Sequence, residues 1–135
     1  MLRWAGSKKK LLPLLLAAVP EDANRYIEPF AGSAVLFLRL RVEDAILGDL
    51  NQSLIETYRI VQRYPRAVWE RASQFGSSPE DYYKVRAVPR ERLNAFDRAA
   101  QFVYLNRYCF NGVYRTNRAG KFNVARGKGH LFMPS

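Results

Sequence analysis

The stretch from Arg25 to Val61 constrains the fold more than any other. Arg25 to Glu28 reads as a short strand running into Pro29 and the small-residue turn Ala31-Gly32-Ser33-Ala34. Leu36, Phe37, Leu38 and Leu40 then give a mostly apolar helix, and Ala45 to Leu47 a second strand that ends at Gly48-Asp49. Asn51 fits the N-cap of a further helix carrying Leu54, Ile55, Tyr58 and Val61 on one face. Strand, tight turn, helix, strand, acid, helix is the opening of a parallel α/β sheet. In such a unit the first turn must let backbone approach a ligand, and the acid closing the second strand can accept from a vicinal diol. Gly32-Ser33-Ala34 and Asp49 meet both needs, although the glycine fingerprint is incomplete. An ordinary tight turn followed by a helix cap would account for them as well.

From Pro65 the periodicity becomes helical. Val68, Trp69 and Ala72 share one helix, and Ser78 and Pro79 mark the cap and first position of another. A third runs from about Ala95 to Arg107 with Phe96, Ala99, Ala100, Val103 and Tyr104 on its apolar side. Beyond Tyr108 the period stops. Asn111-Gly112, Asn117 and Gly120 predict a loop or irregular hairpin over residues 109–124, and the tail from Lys128 to Ser135 forms no nameable element. The expected boundary places an α/β unit at residues 1–63 and a mainly helical unit at 64–135.

Leu11 to Val19 predicts a buried helix, with Pro13 tolerated in its first turn. With Lys8-Lys9-Lys10 before it, this run imitates a secretory leader. That reading is rejected in favour of a role for Trp4 to Lys8, and the run is too short to span a membrane.

Charge is unevenly distributed. Residues 1–83 balance to +1, whereas residues 84–135 carry 11 basic and 2 acidic side chains. The basic residues alternate with Tyr, Phe and Asn, a composition that suits a polyanion, nucleic acid in particular, over a plain solvated face. A single cysteine, Cys109, excludes an internal disulfide; with only His130 beside it, no metal-binding cluster is expected. These features point to the cytoplasm, with association to the nucleoid through DNA.

Four runs, in order, resemble the Dam-type DNA adenine methyltransferases: Arg3-Trp4-Ala5-Gly6-Ser7-Lys8; Ile27-Glu28-Pro29-Phe30-Ala31-Gly32-Ser33; Gly48-Asp49-Leu50-Asn51; and Tyr104 to Arg115 with Gly120-Lys121-Phe122-Asn123-Val124. The resemblance covers residues 3–124 and implies a partial Rossmann-like, S-adenosylmethionine-dependent methyltransferase domain joined to a helical target-recognition domain. It implies methyl transfer to adenine N6 in double-stranded DNA, at a GATC-like site; composition, for its part, gives no metal and no membrane as partners. Trp4 and Lys8 match the family's N-terminal cofactor motif. Glu28, Phe30, Gly32 and Ser33 fall in its methionine-side loop, and Asp49 matches its ribose-binding acid.

In the recognition segment Arg115 matches an arginine that reads guanine, a sound match since a guanidinium fits G O6/N7 bidentately. Phe110 matches an aromatic stacked beside the displaced adenine, which must leave the helix to be methylated. Asn111 and Val113 match neighbouring base-edge contacts, and Arg3 a lysine that approaches both cofactor and DNA. Arg107, Arg118 and Lys121 are expected to neutralise phosphate. Where the family commonly continues Phe-Asn-Val-Pro-Phe-Gly, this chain has Ala125 and Arg126 after Val124.

The family's catalytic Asp-Pro-Pro-Tyr run is absent from residues 1–135, so no catalytic residue is assigned. A fragment, a truncated product, or one half of a split enzyme whose separate C-terminal half carries the motif would each fit. So would a non-catalytic DNA-binding module with a vestigial cofactor pocket or, from composition alone, a small RNA-binding protein.

Overall fold

In the computed structural model, which describes residues 2–129, the α/β pattern forms around two short parallel strands. Strand β1 (Tyr26–Glu28) pairs with β2 (Ala45–Leu47) in the register Tyr26↔Ala45, Ile27↔Ile46 and Glu28↔Leu47. Helix α2 (Val35–Leu40) makes the crossover. The pairing extends past β2, because Gly48 N donates to Glu28 O at 2.8 Å and Ala31 N to Gly48 O at 2.8 Å. The turn after β1 is thereby fastened to the end of β2. Side chains alternate across the pleat: Glu28 is buried, while the paired Ile27 and Ile46 are 61% and 52% exposed on the opposite face.

Helix α1 (Leu12–Ala17) follows a 3₁₀ turn at Lys8–Leu11, and Pro13 does lie at its start. The expected burial is not found. No residue of α1 is buried, and Leu14 is 72% exposed. The cause is local: α1 packs on α2 and its own leading turn, leaving its outer face uncovered among the described residues.

Helices α3 (Gln52–Arg63), α4 (Pro65–Ser73) and α5 (Pro79–Ala87) all pack on α6 (Ala95–Tyr108). The predicted caps form. Asn51 Oδ1 accepts from Leu54 N at 3.0 Å, and Ser78 completes a capping box with Asp81. Helix α6 runs through the core, with Ala99 to Asn106 all buried. Val68, Ala72, Tyr82 and Val85 close around it, together with Cys109 and Val124 from the segment beyond. Of the tail from Lys128, residues 130–135 lie outside the described residues.

Residues 109–127 fold back on the end of α6. Cys109 and Arg126 form an antiparallel bridge, and Thr116 and Phe122 a second one that closes a hairpin. Asn117 shapes its tip: Oδ1 accepts from Ala119 N and Lys121 N, each at 3.0 Å, and its N–H donates to Lys121 O at 2.9 Å.

A candidate cofactor cleft beside a candidate nucleic-acid interface

Strand ends and the N-terminal segment enclose a cleft lined by Trp4, Lys8, Phe30, Gly32, Ser33 and Asp49, among others. All six are among the residues expected to hold cofactor. Gly32 sits at φ +50°, and a Cβ on it would lie 2.9 Å from Trp4 Cδ1, so both conformation and space require glycine. Ser33 Oγ meets Ser7 Oγ at 2.9 Å, tying the loop to the N-terminal segment.

Asp49 organises this cleft. Its Oδ2 accepts from Gly32 N at 3.0 Å and its Oδ1 from Asn51 N at 2.9 Å. A carboxylate offers about four acceptor sites, so roughly two remain for a vicinal diol. The acceptor capacity left on Asp49 fits the vicinal diol of an adenosyl ribose, while Gly32, whose N–H is already given to Asp49, lines the cleft with backbone. Tyr58, expected only on the apolar face of its helix, donates from its hydroxyl to Gly32 O at 2.5 Å. Burial, and then the charges of Asp49 and Glu28, push its pKa well above the usual tyrosine value, so it stays a donor.

Glu28 stands differently. It is 5% exposed and lies outside the residues lining the cleft. Oε1 accepts from Lys8 Nζ at 3.0 Å and Oε2 from Tyr26 OH at 2.9 Å. Lys8 also donates to Phe30 O at 2.8 Å, so the pair fixes the loop's backbone. Hydrogen bonding to Glu28 adds to burial in raising the Tyr26 pKa.

The N-terminal motif is locked to α6 by one side chain. Asn106 Oδ1 accepts from Arg3 N at 2.8 Å and Asn106 Nδ2 donates to Arg3 O at 2.6 Å. An amide buried on an apolar helix needs partners of this kind, which is the signal that could have marked it. Trp4 then stacks on Tyr114 and Phe102, at centroid distances of 5.8 and 6.3 Å.

The residues expected to meet DNA divide into two sets. Arg115, Arg118 and Lys121 are exposed on the hairpin, and Arg115 is held by its Nε donating to Asn123 Oδ1 at 2.9 Å. Its Nη2 also reaches Asn123 O at 3.5 Å, so both contacts orient the guanidinium from one side. Phe110 is 57% exposed, beside Asn111 at φ +52°. Val113, by contrast, is half-buried against the helical core. Arg107 is half-buried too, and burial followed by the nearby Arg3 charge lowers its pKa. Phe110, Asn111 and Arg3 border one concave surface, and Arg3 and Arg107 border another next to it. Cys109 is fully buried, its thiol near Asn106 O and Val113 O, and burial raises its pKa; it is a packed residue. Among the described residues there is no cluster able to hold a metal ion and no helix long and apolar enough to cross a membrane.

Residues 4–131 match the family model described as D12 class N6 adenine-specific DNA methyltransferase. The chain is 35% identical over 132 residues to a type II methyltransferase of Lactococcus lactis subsp. cremoris, covering 93% of this chain and 46% of that protein. It is 37% identical over 131 residues to the DNA adenine methylase of Escherichia coli (94% and 47%). With that of Haemophilus influenzae the identity is 36% over 138 residues (97% and 48%). The chain thus spans about half the length of these curated relatives. It belongs to the D12 class N6 adenine-specific DNA methyltransferase family.

Proposed function

We propose that this chain binds S-adenosylmethionine in the Trp4–Asp49 cleft and duplex DNA along the hairpin at residues 115–123. In this reading it supplies the cofactor and recognition parts of an enzyme that methylates adenine N6 at a GATC-like site. The observation that carries it is Asp49, which braces the Gly32 loop while keeping acceptor capacity free. When bound, the cofactor supplies an electrophilic methyl group. Asp49 would hold its ribose, Gly32 and Ser33 its tail, and Trp4 would wall the cleft. Arg115, oriented by Asn123, would read guanine, and Arg118 and Lys121 would meet phosphate. Exposed Phe110 would support the opened base stack.

With no Asp-Pro-Pro-Tyr run in the sequence, methyl transfer is assigned to this chain together with further polypeptide that carries the motif. The exposed Ile27–Ile46 face of the sheet is consistent with added cover there. Titration calorimetry with S-adenosylmethionine, and binding to GATC-containing and scrambled duplexes, tests the reading. Saturable binding of cofactor and a preference for the GATC duplex are expected. Absence of cofactor binding would instead favour a plain DNA-binding module.

A further inference from the structure

We infer that Tyr114 is a positioning residue through which cofactor occupancy orders the DNA-reading hairpin. This rests on the functional reading above and goes beyond it, because that reading treats the two sites separately.

Trp4 belongs to both sites. Its indole edge is the atom set that a Cβ on Gly32 would strike, so the ring lies directly on the loop proposed to take the cofactor's tail. Its face lies on Tyr114, at 5.8 Å and an interplanar angle of 24°. Tyr114 in turn stacks on Phe102 of α6 at 5.5 Å and 25°, and Phe102 on Trp4 at 6.3 Å and 21°. Three rings, from the N-terminal segment, the central helix and the foot of the hairpin, form one stacked group. The fourth contact reaches across the hairpin, since Tyr114 also packs on Phe122 at 5.7 Å. Thr116 and Phe122 form the hairpin's bridge, and Arg115 follows Tyr114 directly.

The two sides of this group differ in how firmly they are held. On the α6 side, Phe102 is 4% exposed, and Asn106 clamps Arg3 through both amide atoms. The hairpin is exposed from Arg115 to Lys121, where its own Asn117 and Asn123 bonds hold it, while its foot is packed on the helical core through Val113 and Phe122. Anything that fixes the Trp4 indole against the Gly32 loop therefore narrows the positions open to Tyr114, and with it the direction of Arg115. Ligand occupancy on one side then lowers the ordering cost on the other. Linkage makes the effect reciprocal: DNA must tighten cofactor binding by the factor with which cofactor tightens DNA binding.

The experiment measures duplex affinity with and without saturating S-adenosylmethionine, and cofactor affinity with and without saturating duplex, for the parent chain, Tyr114→Leu and Tyr114→Phe. The parent is expected to show about tenfold coupling in both directions. Tyr114→Leu should bring it below about twofold, while each ligand alone still binds. Tyr114→Phe, which keeps the ring, should retain it. Amide hydrogen exchange over residues 113–123 gives a second measurement: cofactor should slow it in the parent and in Tyr114→Phe only. Coupling that survives Tyr114→Leu, or is absent from a parent that binds both ligands, overturns the inference. A parent that binds no cofactor overturns it as well, and that result is separately recognisable as failure of the functional reading. If Tyr114→Leu does not fold, exchange in the parent decides: no slowing over residues 113–123 on adding cofactor refutes the inference.

Discussion

Glu56 on α3 holds two arginines that approach from the α6 side, and its removal should loosen the joint between the helix behind the Gly32 loop and the helical core. Arg98 Nε donates to both carboxylate oxygens, at 3.0 and 2.9 Å, and Arg98 Nη2 to Oε1 at 2.5 Å. Arg90 Nη2 adds a bond to Oε2 at 3.2 Å. All three side chains are between 25% and 31% exposed, so the cluster is neither dry nor freely solvated. Hydrogen bonds to charged groups contribute about 1.5–3 kcal/mol each when sheltered, whereas exposed pairs contribute about 0–1 kcal/mol. For Glu56→Gln, which keeps one acceptor, we expect a loss of about 2 kcal/mol at pH 7. That corresponds to a fall in Tm of about 6–10 °C for a chain of this size.

The pH dependence supplies the sharper test. Hydrogen bonding to Arg98, aided by the Arg98 and Arg90 charges and opposed by burial, holds the Glu56 carboxyl below its ordinary value of 4.5. A group whose folded pKa is depressed contributes stability that is complete above the unfolded pKa and lost as pH falls through the folded one. Urea unfolding of the two proteins at pH 7 and near pH 3 should show the full gap at pH 7 and a clearly smaller one in acid. Other carboxylates titrate in both proteins and cancel in the difference. A gap unchanged near pH 3, or none at pH 7, would refute the reasoning.

Asp49→Ala should weaken S-adenosylmethionine binding by about 1.5–3 kcal/mol in calorimetry while leaving DNA affinity intact, and the loss of its bonds to Gly32 N and Asn51 N should also lower Tm. Gly32→Ala should destabilise the chain and depress cofactor affinity, since it combines about 1–2 kcal/mol of left-handed strain with a clash against Trp4; Gly120→Ala, at φ +76° with nothing within 4 Å, should show the strain alone in thermal unfolding. Arg115→Ala should cost about 1–3 kcal/mol on a GATC duplex and little on a scrambled one, as read by titration; equal losses on both would make it a phosphate contact. Lys121→Ala should weaken both duplexes alike and reduce the salt slope by about one unit.

What the sequence disclosed was what local chemistry decides. Asn51 and Ser78 cap their helices because their side chains reach backbone N–H groups three residues on. Pro13, Pro65 and Pro79 open helices because a first-turn residue needs no N–H partner. The strands and Asp49 could be placed because a parallel α/β unit has few other arrangements. Contacts across the chain were hidden. Asn106 meets Arg3 over 103 residues, and Tyr58 reaches Gly32 across 26. Neither pairing leaves a periodic trace. The burial expected of Leu11 to Val19 failed for the same reason, since hydropathy reports a need for cover and not its presence. Ala34 and Arg41, at φ +50° and +55°, flank α2 in a conformation usually left to glycine, which residue type gave no means to foresee.

The stretch at Ala125-Arg126, where the resembling family commonly places proline, is held by pairing with the segments beside it. Val124 O accepts from Tyr82 OH at 2.9 Å and from Arg86 Nη1 at 3.0 Å. Phe110 N donates to Ala125 O at 2.9 Å, and Gly127 N to Tyr108 O at 2.8 Å. A Cβ on Gly127 would come within 2.8 Å of Phe110 Cα, so the two segments are in close contact. Arg126 donates to Ser77 O at 2.8 Å and lies over the Tyr108 ring. Phe110 is therefore held outward by backbone pairing on its flank, while Cys109 and Gly112 on either side are buried. The same bonds change how the charge should be read. Arg86 and Arg126 donate to backbone carbonyls of the fold, and Arg90 and Arg98 share Glu56. The formal balance of +9 over residues 84–135 thus overstates what is free to meet phosphate. Salt dependence of DNA binding should follow the exposed Arg118, Lys121 and Lys128 far more closely than that total.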